Sequence, residues 1–510
     1  MADSFTPGLL TDLRVVLKNA DGSRSATITS LIVQISITED IFKNTLYGAI
    51  RIKDAIDLLG GYKTNFPILG EEFIEIDYTV DWKPAPVKQS LRFAVYKISD
   101  ISYNQNNTKK EYTLHICSEE HLIDAAFVVM KAYSAAHSDN VKNLLQDYLF
   151  IDKKDTPFKG KRIKKLDKQQ TTKGQQNICI PRLPPLQAAQ LIARRSISDS
   201  EEFKSGTYLF FENFKGFNFC DIEYLIKTGV EKAKKNGALK NEAGDFRYVF
   251  ENPTVAGAKN QPREVYTILK MNHISFFDTI EKLKSGMFES DVLVFDYANK
   301  KITPSRFRFL DNDDKTNSKS MALGGQNEKS FPENSITFMN SVTSVDDKEI
   351  KYSRFFMIMK DMSQTNQDTY LDQIYPARAS YFTRLAQNMM TLDVYGNPNV
   401  NAGDAVFIQI PEGNPDDPTM LNRFTSGFFL VCTINHIFTQ TTYQAKWDVY
   451  KNAFSAKVES TDEAKKTKTT PNDNKSKTNS YNEGPLDLLA ASVPDENSSP
   501  VADFLKQFLP

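Results

Sequence analysis

The chain has little of what catalytic and metal centres are built from: 5 His, 4 Cys and 2 Trp in 510 residues. Cys117, Cys179, Cys220 and Cys432 lie far apart and form no CxxC pair, so they read as separate reduced thiols, neither a disulfide framework nor a zinc site. His121 and His137 are too distant along a helical stretch to share a metal, and His115, His273 and His436 stand alone on or beside strands. HExxH, GxSxG, GxxxxGKS/T and GxGxxG do not occur. Adjacent carboxylates such as Glu71-Glu72, Glu119-Glu120 and Asp416-Asp417 point apart on a strand or fall at turns, which singles out none of them, although carboxylates are numerous enough to leave a glycosidase pair open. No catalytic, cofactor-binding or metal-ligating residue is assigned, no cofactor is expected, and the chain is read as no enzyme.

Charge of one sign is missing too. Lys and Arg number 63 against 64 Asp and Glu, a net charge of -1, so no overall field draws the chain to nucleic acid or a membrane. No apolar run approaches the roughly 18–20 residues of a membrane span, and Met1-Ala2-Asp3-Ser4-Phe5-Thr6-Pro7 is neither basic nor apolar as a signal peptide would be. The expectation is a protein made and kept soluble in a cytoplasm, with no membrane insertion.

What the chain does have is 35 Phe and 21 Tyr, residues that suit pleated sheets and interfaces. Apolar residues alternate at Leu13, Val15, Leu17; Leu31, Val33, Ile35, Ile37; Leu46, Gly48, Ile50, Ile52; Ile74, Ile76, Tyr78, Val80; Leu91, Phe93, Val95; and Tyr112, Leu114, Ile116. Period-two runs with turn signals between them predict an antiparallel sandwich or barrel over residues 1–120. Residues 121–262 then form a mixed α/β region. Ser118 caps a predicted helix with Leu122, Ala125, Ala126, Val129 and Met130 inward. A second helix opens at Ser138-Asp139, and a third at Pro184-Pro185. Between them, residues 151–175 carry nine Lys or Arg against three Asp. An acidic or phosphate-bearing partner is one explanation, and a solvated loop is the preferred one. Tyr208–Phe219 is an aromatic hairpin whose rings pack a core rather than stack bases, because no cation is interleaved in Tyr208–Phe211. Residues 226–262 read as a polar, irregular surface excursion.

The β signal returns from Val265. A capping box of Ser275 with Asp278 starts a helix over Phe276–Ser285, a strand follows at Asp291–Asp296, and another helix runs from Pro376 to Met389. Met390, Leu392 and Val394 then alternate, as do Val406, Ile408 and Ile410. The turn residues Gly396, Asn397, Pro398, Gly403 and Asp404 lie between them, so the two strands are predicted to form a long β-hairpin. Residues 263–311 plus 380–455 make a second β-domain interrupted by a mixed segment at 312–379. Leu46–Asp54 echoes Gly286–Asp296, which suggests a duplicated β-domain. Residues 456–510 are a polar linker ending in two apolar clusters: Leu486, Leu488 and Leu489, then Phe504, Leu505, Phe508 and Leu509. They dock a partner or form an unstructured tail; the sequence favours neither.

The order of these features resembles the central baseplate hub protein of contractile-tailed phages, a family related to the base of type VI secretion spikes. The likeness is carried by Ser36–Leu59 with Pro67-Ile68-Leu69-Gly70-Glu71, by Pro184–Ala193 with Tyr208–Phe219, by Val394–Pro398 with Ala402-Gly403-Asp404, and by Asn435–Phe438 with Tyr443. It implies an α+β, mainly β fold with two related tube-type antiparallel β-barrel domains and mixed α/β domains inserted between and around them. It further implies a homotrimer forming a pseudo-sixfold ring. That ring would join the tail tube protein to the central spike protein among other baseplate proteins, with DNA passing through its lumen without sequence-specific binding. The location implied is the virion tail baseplate, assembled in the host cytoplasm. The alternative is an enzyme degrading cell-wall polysaccharide, its β-domains serving as binding modules.

Overall fold

The computed structural model describes residues 8–59, 68–82, 85–103, 110–154, 162–200, 202–203, 205–238, 245–250, 266–275, 278–287, 289–296, 299–308, 354–359, 370–386, 388–412, 422 and 425–452. The chain is mainly β, with helices set around one large sheet. Its first strands are β1 (Leu10–Lys18), β2 (Ser25–Thr27), β3 (Ile32–Asp40), β4 (Tyr47–Asp54), β5 (Phe73–Val80), β6 (Val87–Tyr103) and β7 (Lys110–Cys117). They lie in the order β3-β4-β7-β6-β5-β1-β2, every neighbour antiparallel. The alternating residues do what period two requires: Val15, Leu17, Ile35, Ile37, Ile50, Ile52, Ile74, Ile76, Phe93 and Leu114 close into one core.

Next come α1 (Glu119–Ala126), β8 (Ala132–Ala135), α2 (His137–Tyr148), β9 (Leu166–Gln169), β10 (Gln176–Cys179), α3 (Pro185–Arg194), β11 (Tyr208–Asn213), β12 (Gly216–Asp221) and α4 (Ile222–Lys235). α2 and α3 bury the faces their spacing predicts, including Val141, Leu144, Leu145, Leu186, Ala189 and Ile192. α1 does not. It stops at Ala126, its inward residues are Glu119, Glu120, Ile123 and Asp124, and Leu122 and Met130 are exposed. Partners turn this helix acid-side in: Arg92 Nε meets Glu119 at 2.6 Å, Lys164 Nζ meets Glu120 at 2.7 Å, and Asp124 accepts the Leu186 N–H at 2.7 Å. Ser118 caps no amide of α1; its hydroxyl donates to Glu212. The aromatic hairpin β11–β12 is buried on both faces, with Tyr208, Phe210, Phe217 and Phe219 in the core of this region and Leu209, Phe211 and Cys220 in that of the later strands. The part of the supposed excursion at residues 226–235 is instead the rest of α4, whose Ile226, Gly229 and Ala233 are buried, and Arg247–Val249 is a strand; residues 239–244 and 251–262 lie outside the described residues.

The last elements are β13 (Arg247–Val249), β14 (Ile268–Ser275), α5 (Thr279–Lys284), β15 (Glu289–Asp296), β16 (Lys301–Arg308), β17 (Arg354–Met359), α6 (Leu371–Leu385), β18 (Asn388–Tyr395), β19 (Ala405–Gln409), β20 (Gly427–Phe438) and β21 (Tyr443–Lys451). Ser275 belongs to β14 rather than to a capping box; the Glu281 N–H is taken by Asp278 at 2.9 Å. α6 holds Pro376 inside it rather than at its start, its first turn fixed by burial of Leu371 and Ile374 against Val292, Phe356 and Ile358. The expected hairpin of β18 with β19 does not form. β18 pairs with β14 and β21, β19 pairs with β13 and β20, and the β20–β21 hairpin lies between them. Alternation fixes which side chains face inward and says nothing of which strand is the neighbour. The echo of Leu46–Asp54 in Gly286–Asp296 is likewise misplaced: β15 sits in a separate sheet of order β16-β15-β17.

A different repetition is present. The stretch β3-β4-β7-β6-β5-β1 and the stretch β14-β18-β21-β20-β19-β13 follow one course, and within each the strands occur in the same chain order. Two irregularities coincide as well, whereas the shifts at Ser99/Ser102 of β6 and His273/Ser275 of β14 have no counterpart in β20 or β3. The ladder skips Val33 in β3 and Leu269 in β14, and it skips Tyr96 in β6 and Cys432 in β20. Bulges are position-specific devices, so two shared ones are more than the chance likeness of alternating strands. The stretches differ at their ends, where β1 pairs antiparallel with β5 but β13 pairs parallel with β19. They meet where β20 pairs antiparallel with β3, Thr433 opposite Asp40 through Phe438 opposite Ile35.

Candidate functional site

Among the described residues no group of three or more His, Cys, Asp or Glu is placed to hold a metal, and no helix is long and apolar enough to cross a membrane. All four cysteines are unbonded, Cys179 exposed and the others buried. A cleft of about 370 Å³ is lined by Leu46, Arg92, Glu119, Glu120, Lys164 and Glu212 among others. Its charges answer one another: Arg92 holds Glu119, and Lys164 holds both Glu120 and Glu212. Burial pushes the Glu212 carboxyl up, opposed by Lys164, while Glu120 and Glu212 together push the Lys164 ammonium up against its own desolvation. Lys164 belongs to the basic stretch 151–175, as do Arg162, which donates to the Ser90 carbonyl at 3.0 Å, and β9, which pairs with β12. The described cations named here are thus used within the fold. Residues 155–161 of that stretch lie outside the described residues.

The turn residues 396–404 form the crossing from β18 to β19. Asn397 anchors it, donating through Nδ2 to the Asp245 carbonyl at 3.0 Å and to the Tyr248 hydroxyl at 2.9 Å, and accepting the Asn399 N–H at 2.9 Å. The Gly396 N–H donates to the Tyr443 carbonyl at 3.0 Å, and Pro398 is half-buried beside it. Gly403, at φ +90°, donates to the Val431 carbonyl at 2.8 Å, and the Asp404 carbonyl accepts the Val431 N–H at 2.9 Å. The Asp404 side chain accepts the Asn401 N–H at 3.1 Å and pairs with Lys232 at 2.6 Å.

Glu72 holds the corresponding place before β5. Its carbonyl accepts the Val95 N–H at 2.9 Å and its carboxylate accepts the Leu69 N–H at 2.6 Å. Both acids stand directly before the strand that pairs with the bulged one, and both fold the preceding loop onto themselves.

Glu39, which the sequence reading passed over, ties the two stretches together. It is buried at the end of β3 and accepts the Ala402 N–H at 2.7 Å and the Phe214 N–H at 3.2 Å, with His436 Nε2 3.5 Å away. A signal existed: Glu39 has the inward parity of Ile35 and Ile37, and an acid there must find donors. Beside it, Ser36 donates across the β3–β20 junction to Asn435 Oδ1 at 2.7 Å. Leu486, Leu488, Leu489, Phe504, Leu505, Phe508 and Leu509 lie outside the described residues.

No family model matches this sequence, and no curated protein does. Solved structures do. The chain is similar to the tail protein from Neisseria meningitidis MC58, at 10% identity and a TM-score of 0.44 over 86% of this chain and 97% of that one. It is similar to the 43 kDa tail protein of prophage MuSo2 from Shewanella oneidensis, at 12% identity and a TM-score of 0.42 over 86% and 98% of the two chains. A chain of the Francisella PdpA-VgrG complex matches at 10% identity and a TM-score of 0.40 over 92% of this chain and 61% of that one. The structural neighbours named here are thus two tail proteins, one of them from a prophage, and a PdpA-VgrG complex.

Proposed function

We propose that this chain is a structural protein of a contractile phage tail, the central hub of the baseplate. Three copies, each contributing two related tube-like β-domains, would form a pseudo-sixfold ring between a sixfold tail tube and a threefold spike. DNA would pass through its lumen without sequence-specific contacts. One observation carries this: a single chain holds the same strand course twice, with bulges at matching positions, and joins the two courses by strand pairing. A threefold assembly that must present six similar faces needs each chain to supply two of them. The paired charges of the cleft add support, since Lys164, Glu120 and Glu212 hold helix and hairpin together.

The test is the mass and shape of the purified chain, by light scattering and particle imaging, alone and with its spike protein. A threefold ring with an opening about the width of a DNA duplex is expected. A monomer under both conditions would overturn the hub, and release of sugar from purified cell wall by the isolated chain would replace it with the enzyme.

A further inference from the structure

The structure carries one junction between its two strand courses and the two halves of a second. Within the chain, the C-terminal part of β20 lies between β21 on one side and β3 on the other. β6 is the counterpart of β20. Its residues 87–94 pair with β5, and from Ala94 to Tyr103 it pairs with β7. Beyond Val95, its other edge has no strand beside it among the described residues. Apart from the bridge of Thr267 to Val249 just before it, β14, the counterpart of β3, pairs among the described residues with β18 alone and ends the large sheet. Among the described residues, each edge is thus left open where its counterpart is paired.

Burial follows the same division. Ile434, His436 and Phe438 of β20 are buried, as are Ile35, Ile37 and Glu39 of β3. On the open edges, by contrast, Tyr96 is 48%, Ile101 45%, Tyr103 58% and Leu269 45% exposed. Exposed apolar residues along an unpaired strand edge invite another strand, which natural sheets otherwise blunt or cover.

We propose that the open edge of β6 pairs antiparallel with the open edge of β14 of a second copy of this chain, repeating between chains the β3–β20 junction made within one. The matching ladders set the register. Ser102 is placed against Glu111 as Ile437 is against Gln444, and Asn272 is placed against Thr391 as Ser36 is against Ala49. Because Ile437 faces Ser36 within the chain, Ser102 faces Asn272 of the second copy. A polar pair like that of the existing junction recurs with its members exchanged: on the ladders with β7 and β18, Ser99 stands where Asn435 does and Asn272 where Ser36 does, with one extra residue between Ser99 and Ser102. Ser99 already donates to Asp100 Oδ2 at 2.8 Å and contacts His115 at 2.7 Å, so its hydroxyl oxygen meets the Asn272 amide as an acceptor. The contact joins unlike edges, so it is head-to-tail and propagates until a ring closes.

This pairing rests on the ring proposed above, and the experiment separates the two. Ser102 and Asn272 are both exposed, so cysteines there leave the core untouched. The full-length S102C/N272C protein, with the exposed Cys179 replaced by Ser in it and in every variant compared with it, is oxidised and run without reductant. Covalent multimers up to the size of the native particle are expected, whereas S102C and N272C alone should give none beyond a dimer. A native particle of several copies that gives no such ladder overturns the pairing and leaves the ring standing. A chain that stays monomeric before oxidation overturns both. The unoxidised variant's circular dichroism should match that of the parent, and an R51C/E111C protein, altered on the paired β4–β7 ladder, should give no intermolecular ladder. Multimers from that control equal to those of the test pair would also count against the assignment.

Discussion

Glu39 Oε2 accepts the backbone N–H of Ala402 at 2.7 Å, across 363 residues of chain. Its other oxygen takes the N–H of Phe214, so one buried side chain closes β3, the β18–β19 crossing and the aromatic hairpin on one another. E39A leaves two amides without an acceptor, at about 1–3 kcal/mol for each buried group so stranded. E39Q keeps one acceptor oxygen and costs less. Urea unfolding should rank wild type above E39Q and E39Q above E39A, with E39A lowered by about 2–6 kcal/mol. An E39A midpoint equal to wild type would mean that the crossing is held some other way.

Two glycines of the same crossing are expected to fail for different reasons. A Cβ on Gly396 would collide with the Tyr443 ring, which is buried and packed against Phe438 and Tyr78 and cannot swing away. At Gly403 the nearest atom is Phe211 Cζ at 3.2 Å, and the cost is chiefly that of a non-glycine residue at φ +90°. G403A should therefore lose about 1–2 kcal/mol, and G396A about 1–3 kcal/mol or more, both read from thermal or urea unfolding. G403V adds β-branching in a conformation that side chains rarely adopt, so it should lower particle yield through folding. Normal assembly of G403V would contradict that placement.

Much of this architecture is legible from period alone. The inward sets of β3, β4, β5 and β7, and the buried faces of α2 and α3, follow from alternation and helical spacing because burial follows side-chain parity. Strand neighbours do not follow. Nothing in Met390–Ile410 shows that Gly427–Lys451 folds into a hairpin between the two strands flanking the turn. The pattern of Leu46–Asp54 finds its echo in β15, whereas the counterpart of β4 by strand course is β18, and apolar pattern carries no information on strand order. The direction of α1 was hidden for a different reason: its buried face is acidic, and only the distant Arg92 and Lys164 make that face an inside. Glu39 belongs to the same class, a charged residue whose partners are backbone amides that no side-chain pattern records.

Glu223 provides a pH-dependent test of the hairpin–helix corner. Asp221, the cap of α4, accepts the N–H of Glu223 at 2.8 Å, the N–H and hydroxyl of Thr207 at 2.9 Å each, and the hydroxyl of Ser205 at 3.2 Å. Burial pushes the Asp221 carboxyl up, and that set of donors opposes the shift. The neighbouring Glu223 carboxyl is buried, and burial followed by the Asp221 charge pushes it up to about 8, partly offset by Arg384. An acid held above its unfolded value binds a proton in the folded state that the unfolded state has released. Stability from this group is therefore full below about 4.5 and declines as pH rises towards about 8. E223Q stays neutral in both states and escapes that decline. The melting temperature of E223Q relative to wild type should rise steadily between pH 5 and pH 9, with the two proteins closest at the acid end. A difference that stays constant over that range would show that Glu223 is already ionised in the fold.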